Sequence, residues 1–370
     1  MVEGALIPRE PYCVVVGGIN LDIQGFSNAR YVAGDSNPGS VRRAIGGVGR
    51  NIAENLVRLG VRAELITVLG DGPEWDILIR NSIDAGIGLS HSPRFHSIDL
   101  PTYLCVLEPD GRLAGAVADM GAIDRLHVEH LESRRELFDA ASAIVVDGNV
   151  PRECIEWIAA HYGARPREPD RGANPGTRAE ILSRNEGPLL IADPVSGAKA
   201  RKFMSCFGQF DIAKPNAAEA AIIAGLPPDA DLGATIASLA AHSNLPSELY
   251  ISLGERGIAV ARGTSLKKIA LCPASHRPST VNRSGAGDAA CATLVWLSVA
   301  ARPSDALASS LLASTPREKA QFAIAGALFA AAAEAPVNPR LSVENLCETA
   351  RTCYPELAPL IEIIRNGGNA

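Results

Sequence analysis

Apolar residues in this chain gather in short continuous runs, and between the runs they recur three and four positions apart. The strand-like runs stand at 13–16, 64–68, 143–146, 189–192, 211–213 and 249–252; helical patterns lie between them at 50–59, 74–85, 151–162, 218–224 and 232–241. A strand buried on both faces reads as an unbroken apolar run, whereas a flanking helix carries its apolar residues on one stripe. The alternation predicts an α/β fold, a mostly parallel sheet with helices on both faces. Gly60, just past Leu59, is placed to end the first helix in a left-handed cap.

Two stretches break this rhythm. Residues 30–45 and 99–118 hold β-prone pieces, at 103–107 and 113–117, the latter two joined by the turn sequence Pro109-Asp110-Gly111. They predict a small sheet outside the main sandwich. Residues 164–187 are rich in proline, glycine and charge, the composition of a solvated, mobile insertion.

Composition narrows the class. A chain of 370 residues suits one large α/β domain, so 1–370 is expected to form a single unit. Hydrophobic residues make up 47%, enough for a substantial core, and the net charge of −6 argues against non-specific nucleic-acid binding. The eight cysteines show no Cys-x-x-Cys spacing and fall in apolar segments, as reduced buried thiols do. No apolar stretch reaches the ~18 residues of a membrane span, and the first ten residues lack a secretory pattern. A cytoplasmic protein without membrane or nucleic-acid partners is expected.

The run Asn282-Arg283-Ser284-Gly285-Ala286-Gly287-Asp288 carries the most chemistry, because the small and apolar residues after it read as a helix. Gly285, Ala286 and Gly287 leave backbone N–H groups uncovered at a helix N-terminus, where the dipole adds partial positive charge. That is an anion cradle. Asp288 puts a carboxylate beside it, an electrostatic cost that makes sense for a group that accepts a proton. Together they point to phosphoryl transfer to a hydroxyl. Gly285-x-Gly287-x-x-Ala290 also fits the relaxed dinucleotide pattern, which needs an early βαβ unit and an acidic residue about 20 positions on. Here it comes late, and Asp305 follows Arg302-Pro303 in a loop-like segment. Gly-Lys does not occur, so there is no Walker A loop.

Other segments supply partners. Asn216 is a good helix N-cap, with Glu219 at the capping-box position three residues on. In Ser252-Leu253-Gly254-Glu255-Arg256-Gly257 the glycines permit close backbone approach to a ligand, or a hairpin turn. Asn20 and Asp22 flank Leu21 and can face one pocket, where a carboxylate could accept from two vicinal hydroxyls. Gly46-Gly47-Val48-Gly49-Arg50-Asn51 makes a turn before a helix, with Asn51 conspicuous at an apolar helix start. The pair His127-x-x-His130 reads as a solvated helix face rather than a metal site.

The heptad at 282–288 resembles the signature of the ribokinase-like (PfkB) family of carbohydrate and nucleoside kinases. Segments 18–22, 46–51 and 214–219 stand in that family's order and spacing over nearly the whole chain, and the phrases at 35–39, 46–56 and 192–196 look like its pseudouridine kinase branch. The resemblance implies a ribokinase-like three-layer α/β/α sandwich with a small β lid, drawn from 30–45 and 99–118, over the acceptor. It implies ATP-dependent phosphorylation of the 5′-hydroxyl of pseudouridine. Ribose, uridine and adenosine remain alternative acceptors, and a non-catalytic sugar-binding relative remains an alternative role.

The same resemblance assigns residues. Asp288 would be the base, with Gly285, Ala286 and Gly287 as the anion hole. Glu219 would organise water-bound Mg²⁺, with Asn216 near the triphosphate. Ser252, Gly254 and Gly257 would border the nucleotide phosphates, and Asn338 the adenine. Asn20, Asp22 and Asn51 would meet the sugar, with Gly46, Gly47 and Gly49 at the lid hinge. A uracil joined through carbon keeps a ring N–H that uridine has lost, so the site needs an added acceptor, drawn from Asp35, Asn37, Thr102, Tyr103, Asp119 and Asn149. The family signature often opens with Asp-Thr, where the Asp helps a monovalent-cation site; Asn282-Arg283 replaces it here, so strong K⁺ dependence is not expected. A homodimer through the lid is a further implication.

Overall fold

The computed structural model describes residues 11–163, 187–263, 265–299 and 314–367; the insertion expected at 164–187 lies outside them but for its last residue. Its strands are β1 (Tyr12–Val16), β2 (Asn20–Ser27), β3 (Gly39–Gly46), β4 (Arg62–Ile66), β5 (Thr102–Leu107), β6 (Leu113–Asp119), β7 (Ala143–Asp147), β8 (Leu189–Asp193), β9 (Ile212–Ala213), β10 (Glu248–Ser252), β11 (Ile258–Arg262) and β12 (Ser265–Ile269). The longer helices are α1 (Val48–Arg58), α2 (Pro73–Asp84), α3 (Arg152–Tyr162), α4 (Ala217–Ile223), α5 (Leu232–Ala241), α6 (Ala286–Val299), α7 (Pro316–Ala331), α8 (Val343–Cys353) and α9 (Ala358–Gly367).

Eight strands form one sheet in the order β12-β11-β10-β9-β8-β7-β1-β4. From β4 to β10 the pairing is parallel, and β11 and β12 are added antiparallel. Every residue of β1, β7 and β8 is buried, which is why these runs are apolar without alternation. Within β1, Cys13 and Val15 join the core under α1, α6 and α7, while Val14 and Val16 join the core under α3, α4 and α5. The three-layer α/β/α sandwich is thus built from one sheet with two independent cores. Among the described residues no helix is long and apolar enough to cross a membrane.

A second sheet, in the order β3-β2-β5-β6, stands apart. Its β5–β6 hairpin turns at Pro109-Asp110-Gly111, with Gly111 at φ 82° and the Glu108 N–H donating to the Arg112 carbonyl at 2.8 Å. One strand differs from the sequence expectation. Residues 20–27 form β2, which pairs with both β3 and β5, while 28–38, expected in part as lid, is loop and turn. The alternation of Leu21, Ile23 and Gly25 with Asn20, Asp22 and Gln24 is that of a half-exposed strand. Its polar half hid it from a search for apolar runs.

Pairing fixes which lid residues share a face. Asp22 lies opposite Ala44 and Tyr103, whereas Thr102 lies opposite Leu21 and Asp119. Since neighbours along a strand alternate, Asn20, Asp22 and Tyr103 occupy one face, and Thr102 and Asp119 the other. The latter face exposes Val41 (66%), Leu104 (43%) and Val117 (66%).

Candidate active site

The carboxyl ends of neighbouring parallel strands gather a group of buried charges, where open α/β sheets place their ligand sites. Asp147 ends β7 and Asp193 ends β8, paired side by side. Lys214 follows β9, and Asn216 bridges to Ser252 at the end of β10. Asp288 enters from the first turn of α6.

The cradle is braced on both sides. Gly285 has φ 77°, and a Cβ there would collide with the Pro336 carbonyl oxygen, so no other residue fits the turn. Asn282 Oδ1 accepts from the Ser284 N–H at 2.9 Å, and Asn282 Nδ2 donates to the Glu334 carbonyl at 2.7 Å. The signature loop is therefore tied to the segment after α7. Asn338, expected near adenine, braces that same segment: its amide donates to the Phe329 carbonyl at 2.8 Å and accepts the Arg340 N–H at 3.0 Å. A cleft of about 470 Å³ opens beside this loop, lined by Arg277, Pro278, Phe329, Ala332 and Arg340 among others.

Asp288 is buried, and its Oδ2 accepts from Asn51 Nδ2 at 2.8 Å. Burial, and next the Asp193 carboxylate, push its pKa up to about 7, against the opposing pull of Asn51 and Lys214. Asn51 Oδ1 remains buried without a hydrogen bond, an acceptor left open beside Asp288. Asn51 had been expected to meet the sugar. Here its amide holds Asp288, which explains a polar residue at an apolar helix start.

Lys214 was not singled out for a role by sequence, and the structure brings it to the centre. Its Nζ lies 3.3 Å from Asp193 Oδ2, and a Cβ on Gly287 would stand 3.4 Å from that ammonium. Burial opposes its charge, but Asp193 and further acidic neighbours outweigh burial and raise its pKa, so the group stays cationic. The sequence signal was its place directly before Pro215-Asn216. Asp193 also accepts the Val195 N–H at 3.1 Å, holding that β-branched residue at φ 70°. Such a conformation costs about 1–3 kcal/mol, and strain of this kind collects at functional sites.

Glu219 closes a capping box: its two oxygens accept from the Asn216 N–H and side-chain amide at 2.9 and 2.6 Å, while Asn216 Oδ1 accepts the Glu219 N–H. Burial raises its pKa. Among the described residues no three His, Cys, Asp or Glu side chains stand together as a metal cluster. Mg²⁺ needs less, typically one or two carboxylates with waters and phosphates. Asp193, whose Oδ2 accepts no hydrogen bond beside its ion pair with Lys214, and Glu219, in the helix that follows the neighbouring strand β9, fit that smaller demand. The His127-x-x-His130 pair caps a helical turn instead, with His130 Nδ1 accepting the His127 N–H at 3.0 Å.

On the acceptor side, Asn20 Nδ2 donates to Asp22 Oδ1 at 2.6 Å, and burial raises the Asp22 pKa against that bond. Gly46 stands directly over the Asp22 carboxylate, where any Cβ would strike it, and Gly47, at φ 99°, packs on the Gly18 carbonyl. Asp147 accepts the Gly18 N–H at 2.8 Å and the Asn149 N–H at 2.7 Å, joining the loops after β1 and β7. Asn149 in turn accepts from Lys199, a second lysine that sequence reasoning passed over.

The base-reading group separates. Tyr103 stays on the Asp22 side, while Asn149 stands outside the lid, beyond the carboxyl end of β7. Thr102 and Asp119 point to the other lid face, the pleat having the opposite phase. Thr102 Oγ1 donates to the Leu100 carbonyl at 2.9 Å. Asp35 and Asn37 stand on the exposed 28–38 loop, where the Asn37 side chain is taken up by Val32 and the Asp35 carbonyl.

Residues 10–313 match the model of the pfkB family of carbohydrate kinases. The chain is 29% identical over 343 residues to the uncharacterized sugar kinase YeiI of Escherichia coli (strain K12), covering 93% of this chain and 84% of that one. It is 28% identical over 340 residues to the pseudouridine kinase of the same organism, covering 91% and 96%. Its fold is similar to that of Arabidopsis thaliana ribokinase solved with ribose and ATP, with a TM-score of 0.65 at 17% identity over 93% of this chain and 99% of that one.

Proposed function

Because the chain belongs to the pfkB family of carbohydrate kinases, phosphotransferases with an alcohol acceptor, we propose that it transfers the γ-phosphoryl group of ATP to the 5′-hydroxyl of pseudouridine. The observation that carries the chemistry is Asp288, buried beside the Gly285–Gly287 turn and held by Asn51 from the acceptor side. Asp288 takes the hydroxyl proton. The cradle N–H groups and the Lys214 ammonium offset charge on the transferring group, in a site where burial strengthens both. Mg²⁺, when bound, would neutralise phosphate charge, its waters held by Asp193 and Glu219. The cleft beside Arg277 and Ala332 is suited to the adenine.

Pseudouridine as acceptor is supported by the pseudouridine kinase likeness and by the phrases at 35–39, 46–56 and 192–196. Tyr103, beside Asp22 on the lid, and the bonded pair Asn149 and Lys199, beyond the carboxyl ends of β7 and β8, are the groups we assign to the base. The apolar outer face of the lid, with Val41, Leu104 and Val117 exposed, fits pairing with a second copy. A phosphorylation panel of pseudouridine, uridine, adenosine, ribose and fructose with Mg²⁺-ATP tests the acceptor. Pseudouridine is expected to give the highest kcat/KM, and a higher value for ribose or adenosine refutes the specificity.

A further inference from the structure

The two glycine turns at the nucleotide side are joined by one ion pair. Arg283 Nη2 lies 2.7 Å from Glu255 Oε1. Glu255 sits inside the turn between Gly254 (φ 61°) and Gly257 (φ 95°), and Arg283 stands two residues before Gly285 (φ 77°). Both side chains are in solvent, 78% and 75% exposed, and among the described residues neither has a second ion-pair partner. An exposed pair of this kind adds little to stability, so it is a poor brace and easily exchanged. A guanidinium, by contrast, offers a planar fork that matches phosphate oxygens in two parallel hydrogen bonds. The buried ammonium of Lys214 already serves the cradle end of the site; Arg283 is a cation at the open end, facing the turn that also carries the exposed Arg256.

We propose that Arg283 is a ligand of the nucleotide's phosphate chain, held by Glu255 in the free protein and handed to the polyphosphate when it enters between the two turns. Glu255 competes with the nucleotide for the same guanidinium and weakens nucleotide binding. This rests on ATP being the donor.

Calorimetry with a non-hydrolysable ATP analogue and Mg²⁺, with adenosine as control, tests the exchange; thermal melts check that the variants fold. Arg283→Ala is expected to lose at least about tenfold in affinity for the analogue, the loss of a charge-assisted hydrogen bond, and to leave adenosine binding unchanged. Glu255→Gln is expected to bind the analogue about threefold more tightly, having lost the competitor. The double variant should match Arg283→Ala. Unchanged affinity in Arg283→Ala overturns the inference. So does an equal loss in Glu255→Gln, since the pair would then be a structural tie. If the unaltered protein binds no analogue at all, the donor reading itself fails.

Discussion

At the scale of single residues, the site turns on a carboxylate that the fold makes reluctant to ionise. Asp288 has its pKa pushed to about 7, so kcat/KM should fall about tenfold per pH unit below that value and level off above it. A profile flat down to pH ~5 would mean another proton acceptor. Asp288→Asn should lower kcat by at least ~10², the usual scale of general-base catalysis. It should also stabilise the protein. The folded pKa exceeds the ordinary 3.8, so ionising Asp288 disfavours folding progressively from about pH 4 to about pH 7, at a cost on the order of 4 kcal/mol at full ionisation. The melting temperature of the Asn variant should therefore exceed that of the unaltered protein at about pH 8, the gap closing as pH falls towards 4. Asp22→Ala should raise the acceptor KM at least about tenfold and leave ATP binding alone, because charge-assisted hydrogen bonds of ~1.5–3 kcal/mol each would go. Unchanged nucleoside affinity by calorimetry would refute the assignment. Asp288, Asp22 and Asn51 were legible in sequence because each sits in a short local motif. Lys214 and Asp193 were not, since what joins them is the adjacency of β8 and β9.

At the scale of elements, the parallel sheet was easily read and the lid only half so. Strands buried on both faces announce themselves as apolar runs, and the helices between them came out within two residues of their observed ends. β2 did not, because polar residues alternate with apolar ones along it. The same alternation decided the fate of the base-reading candidates. A one-residue offset in pleat separates Tyr103 from Thr102, and no short segment reveals its own phase without its partner strand. The face that carries Leu104, Val41 and Val117 leads to a prediction about assembly. Leu104→Lys with Val117→Lys should shift the protein to a monomer in sedimentation analysis if that face pairs with a second copy. A protein that is monomeric before the change removes the lid dimer from consideration.

At the scale of the whole molecule, the chain divides in space much as it does in sequence: in the proposed reading β1 to β7 supply most of the acceptor side and the lid, the segment after β8 adds Lys199 to it, and Asp193 with β9 to α7 supplies the donor side. Two of the links that cross between them bear on coupling, Asn51 to Asp288 and, from the lid, Arg42 to Glu334 at 3.4 Å. The second joins β3 to the loop that braces the cradle, so acceptor and nucleotide should bind with positive coupling, each tightening the other equally. Arg42→Ala should reduce that coupling and leave the affinity for ATP alone unchanged; calorimetry of the ATP analogue with and without pseudouridine would detect it, and intact coupling in the variant would refute the link. The Asn51–Asp288 bond has another consequence, for the protein's birth. It joins positions 237 residues apart. On the ribosome the acceptor half emerges first, with the lid and its carboxylate, and the anion hole follows only after most of the chain has been translated. A polypeptide stalled before the signature lacks Asp288 and the Gly285–Gly287 turn, so the proposed phosphoryl transfer can begin only once translation has passed the signature.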